Sequence, residues 1–137
     1  MASAQQFVLP GFQNRAAVVT GAGSGIGRAI AAALAGQGMN LVLADLRQDS
    51  LTDAETEIRA LGRDVLSVPT DVADRESVAR MAEKAHAAFG DVAVLVNNAG
   101  VSPRPFRPIW EFSPEDWSWV MGVNFWGVIH GVSAFLP

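Results

Sequence analysis

Thr20-Gly21-Ala22-Gly23-Ser24-Gly25-Ile26-Gly27 follows the apolar run Ala16–Val19 and opens a helical pattern. A strand that ends in a glycine turn and feeds a helix offers backbone N–H groups and a positive dipole end to a phosphate. The spacing from Gly21 is G-x-x-x-G-x-G, because Ile26 stands where G-x-G-x-x-G would need its last glycine. The physics is shared: Gly21 permits the tight turn, Gly25 admits a pyrophosphate close to the backbone, and Gly27 lets helix and strand approach. No Gly-Lys-Ser/Thr follows, which excludes a P-loop. By itself the stretch also reads as a glycine-rich turn with no ligand, so its surroundings decide.

Outward from it, Leu41–Ala44, Val65–Val68 and Val92–Val96 are short apolar runs of the size of strands buried on both faces. Between them lie helical patterns. Ile26, Ile30 and Leu34 recur every four residues before Gly36 and Gly38, and Leu51, Ala54, Ile58 and Leu61 share a face that ends at Gly62. A third helix starts at Asp74, an N-cap, with Val78, Met81, Ala85 and Phe89 inward and Gly90 after it. The fourth opens at Ser113-Pro114-Glu115-Asp116, with an N-cap hydroxyl, a first-turn proline and acids at the positive dipole end, and runs towards Leu136. Strands separated by helices of this length run parallel, and right-handed crossovers give strand order 3-2-1-4. The predicted fold is therefore α/β, half of a Rossmann-type doubly wound parallel sheet, with residues 15–137 as its unit and residues 1–14 as an N-terminal extension. Its ligand site falls outside the strand carboxyl ends, between the first and fourth strands.

Composition narrows the function. The 137 residues carry a net charge of −4, and their 10 Lys+Arg are dispersed, so no basic run suits nucleic acid. The absence of cysteine excludes disulfides, thiolate metal sites and a cysteine nucleophile. His86 and His130 stand apart from other ligand-type residues and read as structural, so no metal site is expected. Met1–Phe12 has neither the basic nor the apolar region of a secretory signal, and a cytoplasmic location is expected. Ser118–Leu136 has no formal charge over the length of a spanning helix. Asn124, His130 and three glycines within it, with no basic flanks, favour a buried helix over a membrane anchor.

Two acids stand at strand ends. Asp45 lies 18 residues after Gly27, near the distance at which an acid meets ribose hydroxyls, and Asp71 closes the third run as Thr70-Asp71-Val72. Each also reads as a solvated loop acid or helix cap. Together with the glycine turn, Asn97-Asn98-Ala99-Gly100 and Val123-Asn124, they resemble the short-chain dehydrogenase/reductases in order and spacing, from about Arg15 to Pro137.

The resemblance implies NAD(P) over the strand ends and hydride transfer to or from a carbonyl/alcohol substrate. On that likeness, Gly21, Ser24, Gly25, Ile26 and Gly27 hold the pyrophosphate and Asp45 takes the ribose hydroxyls. Asp71 reaches the adenine amino group beside the Val72 backbone, and Asn98, Ala99 and Gly100 line the adenosine-ribose and nicotinamide side. Asn124 is the catalytic asparagine, holding a water in the proton relay. Asn97-Asn98 also reads as a polar sheet-end pair bonded to Thr20. An acid at Asp45 repels a 2′-phosphate and accepts from a 2′-hydroxyl, so NAD is favoured over NADP, with Arg28 and Arg47 the cations in reach of a phosphate.

The family's Ser, Tyr and Lys are expected downstream of Asn124. These 137 residues contain no Tyr, and Lys84, their one lysine, belongs to the third helix. The expectation is a chain truncated after its fourth strand and following helix, without dehydrogenase activity of its own, since loss of the proton-transfer group alone costs ~10²- to 10⁴-fold. The fourth strand is then an apolar edge. Trp117, Val120, Met121, Val128 and Val132 form one apolar face of the last helix, with Trp119, Val123, Trp126 and Ile129 around the rest, which implies self-association. A non-catalytic nucleotide-binding or interaction module shares all these features. A methyltransferase fits less well, because Val18-Val19-Thr20 replaces the acid usual before its glycines. Ser102-Pro103-Arg104-Pro105 reads as a rigid loop from which Arg104 or Arg107 can meet an acidic substrate, or as a solvated one.

Overall fold

The computed structural model describes residues 9–136; residues 1–8 of the N-terminal extension and signal reading, and Pro137, lie outside them. Residues 9–14 touch the domain: Leu9 N donates to Gln37 Oε1 at 2.8 Å, and Phe12 packs on the core.

The four apolar runs form β1 (Ala16–Thr20), β2 (Asn40–Asp45), β3 (Val65–Pro69) and β4 (Val92–Val96), all parallel, in the order β3-β2-β1-β4. Thr20 pairs with Ala44, Asp45 with Pro69 and Val19 with Val96, so the carboxyl ends share one edge. Alternate residues serve opposite faces. Ala17, Val19, Leu41 and Leu43 pack with Ala31, Ala35, Leu51, Ala54 and Ile58 of α1 (Gly25–Gly36) and α2 (Gln48–Ala60). Val18, Val42, Ala44 and Val68 pack with Val78, Met81 and Ala85 of α3 (Arg75–Phe89), where Phe135 of the last helix also joins. A strand covered on both sides needs both faces apolar, which is why these runs are continuous. β4 has β1 as its one neighbour among the described residues and is half-buried throughout.

Helix starts follow the sequence reading. Asp74 accepts from Glu76 N at 2.9 Å, and Ser113 and Asp116 form a reciprocal capping box with Pro114 in the first turn. Helix faces differ from it. α1 buries Gly27, Ala31 and Ala35, while Ile30 and Leu34 are half-buried and Ile26 is 75% exposed. The buried stripe is small because this helix lies close on the sheet; hydrophobicity alone pointed one position away. Leu61, past the last turn of α2, is 49% exposed.

The final run is α4 (Pro114–Met121), a π turn (Gly122–Trp126) and α5 (Gly127–Phe135). Its buried residues are Gly127 and Gly131, whereas Trp117, Met121 and Val132 of the apolar face read from the sequence are exposed. Close approach again decides: a Cβ built at Gly127 would lie 2.8 Å from Val72 Cγ2, and one at Gly131 2.3 Å from Asn97 Oδ1. Trp119, Trp126 and Ile129 are exposed too. No helix among the described residues is long and apolar enough to cross a membrane.

Candidate functional site

The site is built where β1 and β4 end side by side. Thr20 is buried, and its Oγ1 accepts from the backbone N–H groups of Asn98 at 3.0 Å and Ala99 at 3.1 Å. Asn98 Nδ2 donates to Thr20 O at 3.0 Å and Gly21 O at 3.4 Å. The side chain of Asn98 therefore fastens the two strand ends, as the sheet-end reading expects, while Ala99 and Gly100 continue along the cavity wall. Gly27 packs into the same knot, since its Cβ would stand 2.2 Å from Gly21 O and 2.5 Å from Asn98 Nδ2.

Across the glycine turn stands Asp45, half-buried. Its Oδ2 accepts from Gly23 N at 3.0 Å and its Oδ1 from Arg47 N at 3.2 Å. Each oxygen retains capacity for a further donor, and Asp45 lines the cavity over the strand ends. Ser24 is extended and makes no side-chain cap, and no acid occupies the first turn of α1. The leading N–H groups of that helix thus have no intrahelical acceptor and carry the positive dipole end. Gly25 has a φ of 53° with nothing within 4 Å of its Cβ position, so the turn faces open space there.

The β3 end completes the floor. Thr70 N donates to Asp45 O at 2.8 Å, Asp71 Oδ1 accepts from Ala73 N at 2.9 Å, and Asp71 N donates to Ser77 Oγ at 3.1 Å. One cavity of about 750 Å³ results, and Gly21, Ser24, Gly25, Ile26, Gly27, Asp45, Asp71, Val72, Asn98, Ala99 and Gly100 all line it. Thr70, Arg104 and Val123, quoted in the sequence without a cofactor role, line it too, as do Leu46, Ala73, Val101 and Trp119, which the sequence reading did not assign to the site. Leu46, Thr70 and Ala73 flank the two strand-end acids, a signal that was present. Trp119 arrives from α4, and nothing in the sequence ties it to this edge.

A second cavity of about 790 Å³ adjoins the first, with Gly100, Val101, Arg104 and Trp119 as the shared wall, and it contains Asn124. Asn124 Oδ1 accepts from Val101 N at 2.7 Å and Nδ2 donates to Val101 O at 2.9 Å. Its amide is thus engaged on both atoms in pinning the loop after β4. The π turn around it is the kind of widened helical turn found at functional sites. Arg107 pairs with Asp116, and its guanidinium lies 5.6 Å from the Phe112 ring. Arg104 stacks over Phe106 at 5.1 Å and is the cation shared by the two linings.

The Ser113 backbone N–H, followed by Arg107, holds the Asp116 carboxyl below its ordinary value. A depressed folded-state value stabilises the fold above the unfolded value near about 4, and the gain is lost as pH falls through the folded one. The expected outcome is fraying of the α4 start in acid, seen as exchange of the Trp117 amide, with Asp116→Asn already frayed at neutral pH. A Trp117 amide equally protected at pH 3 and pH 7 is the contrary result.

The model of the short chain dehydrogenase family matches residues 15–137. The chain belongs to the short-chain dehydrogenase/reductases. It is 40% identical over 125 residues to the 1-deoxy-11-beta-hydroxypentalenate dehydrogenase of Streptomyces avermitilis, covering 91% of this chain and 46% of that protein. A short-chain dehydrogenase/reductase from Burkholderia phymatum, solved in complex with NAD, superposes with a TM-score of 0.86 at 48% identity, covering 92% of this chain and 44% of that one. The alcohol dehydrogenase of Thermococcus sibiricus, solved with 5-hydroxy-NADP, gives a TM-score of 0.85 at 38% identity over 90% of this chain and 52% of that one. The chain spans about half the length of the short-chain dehydrogenase/reductases it matches.

Proposed function

We propose that residues 15–137 are the dinucleotide-holding part of an oxidoreductase that moves hydride between NAD and a carbonyl/alcohol substrate. The single cavity that gathers the glycine turn, the uncapped α1 end, Asp45 and Asp71 carries this reading. The first-turn N–H groups, with Ser24, Gly25, Ile26 and Gly27, take the pyrophosphate. Asp45 accepts from the ribose hydroxyls with its remaining lone pairs. Asp71 keeps Oδ2 for the adenine amino group beside the Val72 backbone, and Asn98, Ala99 and Gly100 hold the chain close along the adenosine-ribose and nicotinamide side. The cofactor, when bound, supplies or accepts the hydride. Asn124 borders the substrate side, where its amide fixes Val101, so a relay water there falls to the backbone of the π turn.

NAD is preferred because the carboxylate of Asp45 repels a 2′-phosphate, and Arg28 and Arg47, the cations expected in reach of that phosphate, are both engaged elsewhere. Arg28 binds Glu57 at 2.8 Å, and Arg47 binds Ser50 Oγ at 2.6 Å and faces Asp49 at 3.7 Å. The 137 residues contain no Tyr and Lys84 is exposed on α3, so the family's proton-transferring Tyr and Lys are not supplied by this part. The cysteine-free composition suits a cytoplasmic setting, and the exposed aromatic face of α4 and α5 supports self-association.

Fluorescence titration of the purified 137 residues with NADH and NADPH, with turnover assayed in parallel, tests the reading. NADH is expected to bind at least about ten-fold tighter, a difference of ~1.4 kcal/mol, with no turnover. Tighter NADPH overturns the cofactor preference, binding of neither overturns the function, and turnover like an intact relative's overturns the assigned division of labour.

A further inference from the structure

We infer that His130, which touches neither cavity, is a positioning residue for the adenine end of the dinucleotide site, acting through the carbonyl of Val72; the inference rests on the function proposed above. The segment after β3 is tied down on either side of Val72. Thr70 N reaches Asp45 O, Ala73 N and Asp71 N are bonded to Asp71 Oδ1 and Ser77 Oγ, and Asp74 N reaches Asp71 O at 3.1 Å. Val72 itself is held from a different place, the α5 helix, 58 residues further along.

His130 Nδ1 lies 2.9 Å from Val72 O. A carbonyl can only accept, so Nδ1 carries the proton and the ring orientation is fixed. Trp126 stacks against the imidazole, with ring centroids 6.4 Å apart and an interplanar angle of 28°. One turn earlier, Gly127 leaves room for the Val72 side chain, because any Cβ there would come within 2.8 Å of Cγ2. Val72 is thus held at its side chain by Gly127 and at its carbonyl by His130, and it is 8% exposed. The same helix face reaches the β4 loop, through Gly131 against Asn97 and Asn124 on Val101. The helix is a template against which both cavity-lining loops are set. Releasing the Val72 carbonyl frees the Val72–Ala73 peptide, whose N–H donates to Asp71 Oδ1 at 2.9 Å and so orients the carboxylate assigned to the adenine amino function.

ADP-ribose is the probe, because it carries the adenosine end without the nicotinamide. Its dissociation constant is measured for the purified protein and for His130→Leu, His130→Asn and His130→Gln. Asparagine places its amide N–H at the reach of Nδ1, whereas glutamine carries it one carbon further. Leucine is expected to weaken ADP-ribose by about five- to ten-fold, the scale of one hydrogen bond. Asparagine is expected to restore it to within about two-fold, and glutamine is not. A purely structural histidine gives no such donor-dependent rescue. Leucine binding as tightly as wild type, or asparagine no better than leucine, overturns the inference. Should the leucine variant not fold, equal affinities of the asparagine and glutamine variants overturn it. No ADP-ribose binding by wild type is a different failure, that of the functional reading itself.

Discussion

Gly27→Ala lowers the stability of the domain by about 3 kcal/mol and removes measurable NADH binding, on the magnitude typical of forced overpacking. The added Cβ would stand 2.2 Å from Gly21 O, 2.8 Å from Gly21 C and 2.5 Å from Asn98 Nδ2. Two of these atoms are backbone at a strand end, so no rotamer change relieves the contact. The third is the amide that fastens β4 to β1, and it cannot leave without unpairing Thr20 O. Relief therefore requires α1 to retreat from the sheet, which displaces the N–H groups that face the cavity. Gly25→Ala is the informative contrast. Its Cβ meets nothing within 4 Å, but the φ of 53° makes any side chain strained by ~1–2 kcal/mol. That variant keeps the fold and loses affinity. Denaturant midpoints and NADH titrations separate the two; a Gly27→Ala protein of wild-type stability with normal binding refutes the close-approach argument.

Asp45→Ala lowers NADH affinity by about 10²-fold, the equivalent of one or two hydrogen bonds to a charged acceptor. NADPH affinity falls much less or rises, because the repulsion of a 2′-phosphate disappears with the carboxylate. The variant also loses the acceptor for Gly23 N at 3.0 Å, so part of the loss reflects a loosened glycine turn. Asp45→Asn distinguishes the contributions: it keeps an acceptor oxygen for the turn but removes the charge. Equal NADH affinity in Asp45→Ala and wild type contradicts the ribose assignment.

Much of this site was legible in the sequence because parallel strands bring their carboxyl ends to one edge, so residues far apart in number meet by topology. Gly21–Gly27, Asp45, Asp71 and Asn98–Gly100 follow from that rule and from the family likeness. The helix faces were not legible in the same way. Hydrophobic periodicity selected Ile26, Ile30 and Leu34, but α1 presents Gly27, Ala31 and Ala35 to the sheet. The last helix likewise buries Gly127 and Gly131 in place of its larger residues. Where backbones approach closely, burial goes to the smallest side chains, which apolar patterning cannot rank. The contacts of His130 and Trp119 depend on how α4 and α5 cross the sheet edge, and no local spacing encodes that crossing.

The most direct test is amide chemical-shift mapping of the purified protein as NAD is added. The expected shifts gather at Gly21–Gly27, at Asp45 and Leu46, at Asp71–Ala73 and at Asn98–Val101, the four segments that end at the sheet edge. Shifts confined to the exposed aromatic face of α4 and α5, or none at saturating cofactor, contradict a dinucleotide site over the strand ends.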